Sequence, residues 1–185
     1  MIIGITGTFG AGKDTVAEYL EKEKEFKAYS LSDAIRDECR QLNLPIDRDT
    51  LQKVGNDLRA KSGLNVLAQR IIQKINQEGQ RNAQITSVRN PGEWEEIKKT
   101  GQAYLISVDA PIELRFQRIK GRQRIDDNID FEKFKAQEEL EQQSTDPASQ
   151  QLKQMAEMAD YTIVNDKTLE ELYRKVDEVL EKIQS

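Results

Sequence analysis

The segment GTFGAGKDT, residues 7–15, concentrates the chemistry of this chain. Gly7, Gly12 and Lys13 fit the spacing G-x-x-x-x-G-K of a phosphate-binding loop. Gly7, Gly10 and Gly12, with only Ala11 between the last two, let the backbone curl until its N–H groups face inward around anionic oxygens. A helix opening at Lys13 adds partial positive charge at the same point. Lys13 itself reaches terminal phosphates as a point charge. The ligand class selected by this chemistry is a nucleoside triphosphate. Directly after Lys13 stands Asp14, where a serine or threonine ordinarily gives its hydroxyl to Mg2+. Carboxylate oxygens also suit Mg2+, so Asp14 and the neighbouring Thr15 hydroxyl are the candidate metal ligands.

Residue types missing from the chain narrow the chemistry further. It has no histidine and one cysteine, Cys39, which excludes histidine-based proton transfer, catalytic triads, histidine-ligated metals and an intramolecular disulfide. Proton transfer is left to carboxylates, lysine or tyrosine. A formal net charge of −5 gives no general attraction to nucleic acid or an anionic membrane. No apolar run approaches the roughly 20 residues that span a bilayer. The opening MIIGITG reads as a strand, not a signal segment. The expectation is a cytoplasmic protein, monomer or homodimer, that engages neither nucleic acid nor membrane.

A phosphate-binding loop needs a strand before it and a helix after it. Five β-like runs stand out: IIGIT (2–6), FKAYS (26–30), AQITSV (83–88), YLISVD (104–109) and YTIVN (161–165). Helical patterns lie between them. One opens at Lys13 and runs to Lys24. Ser32 caps the next, through Leu42, with Pro45 beyond its end. Asp49 caps a third up to Ser62, and Gly63 stops it. Residues 64–78 follow the 3.6-residue period. Asn90-Pro91 reads as a cap plus first helical residue, with Gly101 as the stop, and Pro111 starts a helix in the same way. Residues 169–183 carry an apolar face, from Leu169 to Ile183, that needs a sheet to cover. The alternation gives an α/β class with a mostly parallel sheet between helices, and 185 residues suit one domain. Two stretches read as insertions: 31–80, purely helical, and 123–158, polar and charged, with a Gln-rich part at 142–151 that carries no motif. Insertions at the C-terminal ends of strands act as walls or lids.

Several segments carry a resemblance to known kinases. DAPIELRFQRIKGR (109–122) is similar to the segment after the fourth strand of adenylate-kinase-like nucleoside monophosphate kinases; this implies that Arg118 covers the nucleotide base and Arg122 contacts phosphates. On the residues alone, Arg115, Arg118, Arg122 and Arg124 are either the base of a lid or a solvated helix face. VRNPGEWEEIKKTG (88–101) resembles a motif of phage-type deoxynucleoside monophosphate kinases, which share Gly-Lys-Asp-Thr with residues 12–15. It implies that Arg89 grips the phosphate of the acceptor; the alternative is an arginine bonding carboxylates at a helix start. Those kinases carry an acid where this chain has Ser87. YSLSDAIR (29–36) resembles both that family and dephospho-coenzyme A kinases, implying Asp33 as the proton acceptor with Arg36 on the substrate side. Asp33 is equally a first-turn helix acid. LQKVGNDLRAKSG (51–63) is similar to the acceptor-binding helices, with Arg59 either a phosphate ligand or a surface arginine. VNDKTLEEL (164–172) falls where such kinases pack a loop on adenine, with Asn165 contributing backbone more than side chain.

The resemblance implies a three-layer α/β/α P-loop kinase fold with a five-stranded parallel sheet in the order 2-3-1-4-5. It implies ATP and Mg2+, and a phosphorylated small-molecule acceptor such as a (deoxy)nucleoside monophosphate. Dephospho-coenzyme A is the alternative acceptor. A non-catalytic ATP-binding module is the competing class, favoured by Ser87. A GTPase is disfavoured because NDKT (165–168) does not fit N-K-x-D, and a motor ATPase because AQITSV leads to Ser87 and Arg89 with no acid. Asp14 is where a metal-side carboxylate missing at Ser87 would be compensated.

Overall fold

The structure, a computed structural model, describes residues 1–121, 130–143 and 146–184. In chain order its elements are β1 (Ile2–Gly7), α1 (Lys13–Glu23), β2 (Lys27–Ser30), α2 (Leu31–Gln41), α3 (Arg48–Ser62), α4 (Val66–Gln77), β3 (Ala83–Thr86), α5 (Pro91–Lys98), β4 (Ala103–Asp109), α6 (Ile112–Gly121), α7 (Phe131–Gln143), α8 (Leu152–Glu157), β5 (Tyr161–Val164) and α9 (Leu169–Gln184). The five strands form one parallel sheet in the order β2-β3-β1-β4-β5. β1 is central and buried along its whole length, which explains why it reads as a nearly unbroken apolar run.

Side chains alternating across the sheet divide the core in two. Ile3, Ile5, Ile106 and Val108 face α1 and α9, where Leu20, Val176 and Leu180 cover them. Ile85 and Leu105 lie on the other side with Leu67, Trp94, Ile97 and Met155, beneath α2–α5 and α8. Trp94 approaches β1 so closely that a Cβ at Gly4 would fall 2.8 Å from its ring. Among the described residues no helix is long and apolar enough to cross a membrane.

All five expected strands are present. β3 ends at Thr86, two residues early, because Ser87 turns to φ 62, outside strand geometry. Four helix starts differ from expectation: α4 begins at Val66 and not at 64, α6 begins at Ile112 just after Pro111, and α2 and α3 differ at their caps. α2 begins at Leu31 with extended Ser30 at its cap, so Ser32 lies inside the first turn. α3 is capped by Asp47, not Asp49. The Asp47 carboxylate accepts from both the backbone N–H of Thr50 (2.8 Å) and its hydroxyl (2.9 Å), a pairing that Asp49 cannot make from within the turn. Gly63 stops the helix as expected, at φ 100, with its N–H on the Arg59 carbonyl. The described part of the 123–158 insertion is more structured than its polarity implies: α7 and α8 bury Phe134, Leu152 and Met155. Arg122 and Arg124 lie outside the described residues.

Candidate active site

The chain after β1 makes the expected strand–loop–helix turn. Gly7 and Gly12 are irreplaceable on two counts. Their φ values of 133° and 99° are unfavourable for any side chain, and a Cβ would fall 2.0 Å from the Val108 carbonyl oxygen at Gly7 and 2.3 Å from Asn165 Nδ2 at Gly12. Lys13 Nζ arches back over the loop and donates to the carbonyls of Gly7 (2.9 Å) and Thr8 (2.6 Å). Two side chains distant in sequence clamp the loop to the sheet. Thr8 Oγ1 donates to Asp109 Oδ1 at the end of β4 (2.7 Å), and Asn165 Nδ2 donates to the carbonyl of buried Ala11 (2.8 Å). Asn165 Oδ1 in turn accepts from Arg118 Nη2 at 3.3 Å. Asn165 thus works through its buried side chain, where the resemblance implies mainly backbone contacts.

A cavity of about 340 Å³ runs from this loop to α2, α3 and the end of β3. Its lining carries five cationic side chains: Lys13, Arg36, Arg48, Arg59 and Arg89. Ile35, Ile46, Leu51 and Leu152 form an apolar part of the wall. Ser87 lines the cavity, with its hydroxyl 3.4 Å from Ser30 Oγ. Arg48 lies over the Phe9 ring, 4.5 Å from its centroid, and so joins the start of α3 to the loop.

Arg59 is not a surface arginine. It is buried at 4% exposure and paired with Glu93, which is wholly buried. Glu93 Oε1 takes Arg59 Nε at 2.8 Å, and Oε2 takes the backbone N–H groups of Arg89 (2.9 Å) and Asn90 (3.0 Å). This is the capping box of α5, with Asn90 Oδ1 accepting from Gly92 N. At Arg89 it is therefore the backbone that bonds the helix-start carboxylate, while the guanidinium bonds Gln150 and lines the cavity. Arg36 lines the cavity and donates to Asp33 at 2.6 Å, but Asp33 itself is exposed and does not line it. Arg115 is buried, bonded to the Ala110 carbonyl and paired with Glu138 of α7, so it belongs neither to a solvated face nor to the cavity.

Among the described residues no group of three or more acidic, cysteine or histidine side chains could hold a metal by itself. Asp14 is exposed and lines the cavity beside Lys13; Thr15 is half-buried and does not line it. A single carboxylate at the mouth of a phosphate loop fits Mg2+ held mostly by nucleotide phosphates and water. Asp47 also lines the cavity. The Thr50 backbone N–H, and then its hydroxyl, hold the Asp47 carboxyl below the usual carboxylate range. Sequence reasoning missed Thr8, Arg48, Asp109 and Gln150. Thr8 lies inside the motif at a position the motif leaves open, and the other three depend on partners distant in sequence.

A family profile described as an AAA domain matches residues 3–144. A UPF0200 protein of Sulfurisphaera tokodaii is 33% identical over 184 residues, covering 98% of this chain and 97% of the relative. A UPF0200/UPF0201 protein of Archaeoglobus fulgidus is 31% identical over 186 residues, covering 98% of this chain and 55% of the relative, so the chain spans about half the length of that protein. Among solved structures, TT1252 from Thermus thermophilus has a TM-score of 0.64 at 21% identity, over 98% of this chain and 97% of that one. A shikimate kinase from Bacteroides thetaiotaomicron has a TM-score of 0.60 at 15% identity, over 98% of each chain. Both share its fold. The chain belongs to the UPF0200 family and has an AAA domain with the kinase-like, nucleotide-binding P-loop fold.

Proposed function

We propose that this protein is a small-molecule kinase that transfers the γ-phosphoryl group of ATP to a phosphorylated acceptor, a nucleoside or deoxynucleoside monophosphate. The observation that carries the reading is the cavity itself: one continuous space joins Lys13 and the loop to Arg36, Arg59 and Arg89. Binding ATP alone needs cations on the loop side only. Arginines that α2, α3 and the segment after β3 bring to the same space from outside the loop provide for a second anionic ligand.

In this reading the loop amides and Lys13 hold the donor phosphates, and Arg118, braced by Asn165, stands on the nucleotide-base side. Arg59 and Arg89 take the acceptor phosphate, with Arg36 at the edge. Mg2+ when bound neutralises charge on the outer donor phosphates, and Asp14 is the side chain available to hold it. Positioning and fixed positive charge supply most of the catalysis expected for phosphoryl transfer. The wall formed by Ile35, Ile46, Leu51 and Leu152 suits the organic part of the acceptor and keeps water away.

The acid inventory favours a phosphate nucleophile over a hydroxyl. Among the described residues the only acids lining the cavity are Asp14 and Asp47. Asp47 caps α3 with both oxygens, and Asp14 stands beside the loop lysine. A hydroxyl acceptor such as dephospho-coenzyme A calls for a base, and Asp33 is exposed and bonded to Arg36 instead. An ionised phosphate oxygen needs none. The non-catalytic alternative retains one specific observation in its favour, Ser87 in the place of an acid. The test is ADP release from Mg·ATP in the presence of a panel of ribo- and deoxynucleoside monophosphates and dephospho-coenzyme A. Stimulation by a monophosphate supports the reading. Tight ATP binding without stimulation by any acceptor overturns it.

A further inference from the structure

Residues 146–151, within the 123–158 insertion, form a strap that leads into α8, and its bonds run to the acceptor end of the cavity. Asn90 Nδ2 donates to the carbonyls of Pro147 (2.6 Å) and Ser149 (2.9 Å). Arg59 Nη1 donates to the Ala148 carbonyl at 3.3 Å, and the Gln151 N–H donates to the Arg89 carbonyl at 2.8 Å. Within this strap Gln150 is 7% exposed, lines the cavity, and accepts from Arg89 Nη1 through Oε1 at 3.0 Å. A guanidinium has donors only, so the amide must turn its oxygen to Arg89. Its Nε2 then carries two donors that meet no partner among the described residues. Nε2 is not one of the enclosed unpartnered polar atoms among the described residues, so it is open to the cavity that Gln150 lines, where an anionic oxygen of a bound ligand can accept from it.

We propose that Gln150 is a positioning and specificity residue for the acceptor: Oε1 fixes the Arg89 guanidinium, and Nε2 donates to an oxygen of the phosphate that Arg89 binds. This rests on the kinase reading of the site. The strap stays anchored without the Gln150 side chain, because Asn90 and the Gln151 N–H hold its backbone. Truncation therefore acts on Arg89 and the ligand and not on the path of the chain.

Two substitutions separate this role from mere tethering. Gln150→Leu removes both functions of the amide. Gln150→Glu is isosteric and bonds Arg89 more strongly through charge. A simple tether would be improved by it, but an acceptor phosphate would meet a carboxylate in place of an N–H donor. The experiment measures KM for ATP, KM for the nucleoside monophosphate that best stimulates the wild-type protein, and Tm for all three proteins. Both variants are expected to raise the acceptor KM about tenfold or more, Gln150→Glu the further, with ATP KM within about twofold and Tm not lowered. An acceptor KM unchanged in Gln150→Glu, or both KM values moving together, overturns the proposal while leaving the kinase reading intact. A wild-type protein that no monophosphate stimulates overturns the kinase reading, and this proposal with it.

Discussion

Arg59 and Glu93 form a buried ion pair, Nη2 to Oε1 at 2.7 Å, where α3 meets the start of α5. The same carboxylate takes the backbone N–H of Arg89, so a single acid fixes two of the arginines that line the cavity. Every oxygen of Glu93 is bonded, which is what allows a charge to remain fully buried. The pair holds two cations in position at a cavity wall and adds no flexibility to them.

Removing Glu93 leaves the Arg59 charge buried without its counterion. Glu93→Ala is expected to cost about 3–5 kcal/mol of folding stability, measured by urea denaturation. Glu93→Gln, which keeps an acceptor for the capping bonds, should cost less. A loss below about 1 kcal/mol in Glu93→Ala would contradict the assignment.

Lys13 Nζ donates to the carbonyls of Gly7 and Thr8, both within its own loop, and its alkyl stem is not part of either core cluster. Lys13→Ala should therefore fold normally and lose at least about a hundredfold in turnover. Turnover within a few-fold of wild type would mean that the loop lysine does not touch the reacting phosphates.

In the proposed reaction Asp14 supplies the metal-side carboxylate that Ser87 lacks. Asp14→Ser restores the residue type common in phosphate-binding loops, yet it is expected to lower turnover and to raise the Mg2+ concentration needed for half-maximal rate, because no acid at Ser87 takes over. Titrating Mg2+ against both proteins checks this. Identical curves would contradict the compensation.

Asp47 titrates below the usual carboxylate range because Thr50 bonds its charged form. A group with a depressed folded pKa contributes stability above its unfolded value, about 3.9, and loses it as pH falls through the folded value. The stability gap between wild type and Asp47→Asn should therefore be open at about pH 7 and close as pH falls below the ordinary carboxylate range. Denaturation at a series of pH values measures it. A gap that is constant with pH would contradict the capping role of the charge.

The strands and the phosphate loop are legible in the sequence because they rest on local signals: β-branched runs and glycines at fixed spacing. Asn90-Pro91 is legible for the same reason, since a capping box lies within four residues. The cap of α3 is not, because DRDT offers two acids and only the Thr50 geometry chooses Asp47 over Asp49. Arg59 reads either as a phosphate ligand or as a surface arginine, because its burial depends on Glu93, 34 positions away. Gln150 gives no signal at all, since its partner Arg89 lies 61 positions earlier and its own segment reads only as part of a polar insertion. The part of the cavity lined by Arg59, Arg89 and Gln150 is built from long-range polar pairs, and these leave no periodic trace.

The central claim is that Lys13 at one end of the cavity and Arg59 and Arg89 at the other serve one transfer reaction. The direct measurement follows label from γ-labelled Mg·ATP in the presence of each nucleoside monophosphate. The account predicts label in the corresponding nucleoside diphosphate, with Arg89→Ala suppressing that transfer far more than it weakens ATP binding. Label that appears only as inorganic phosphate, at the same rate with and without acceptor, would contradict it.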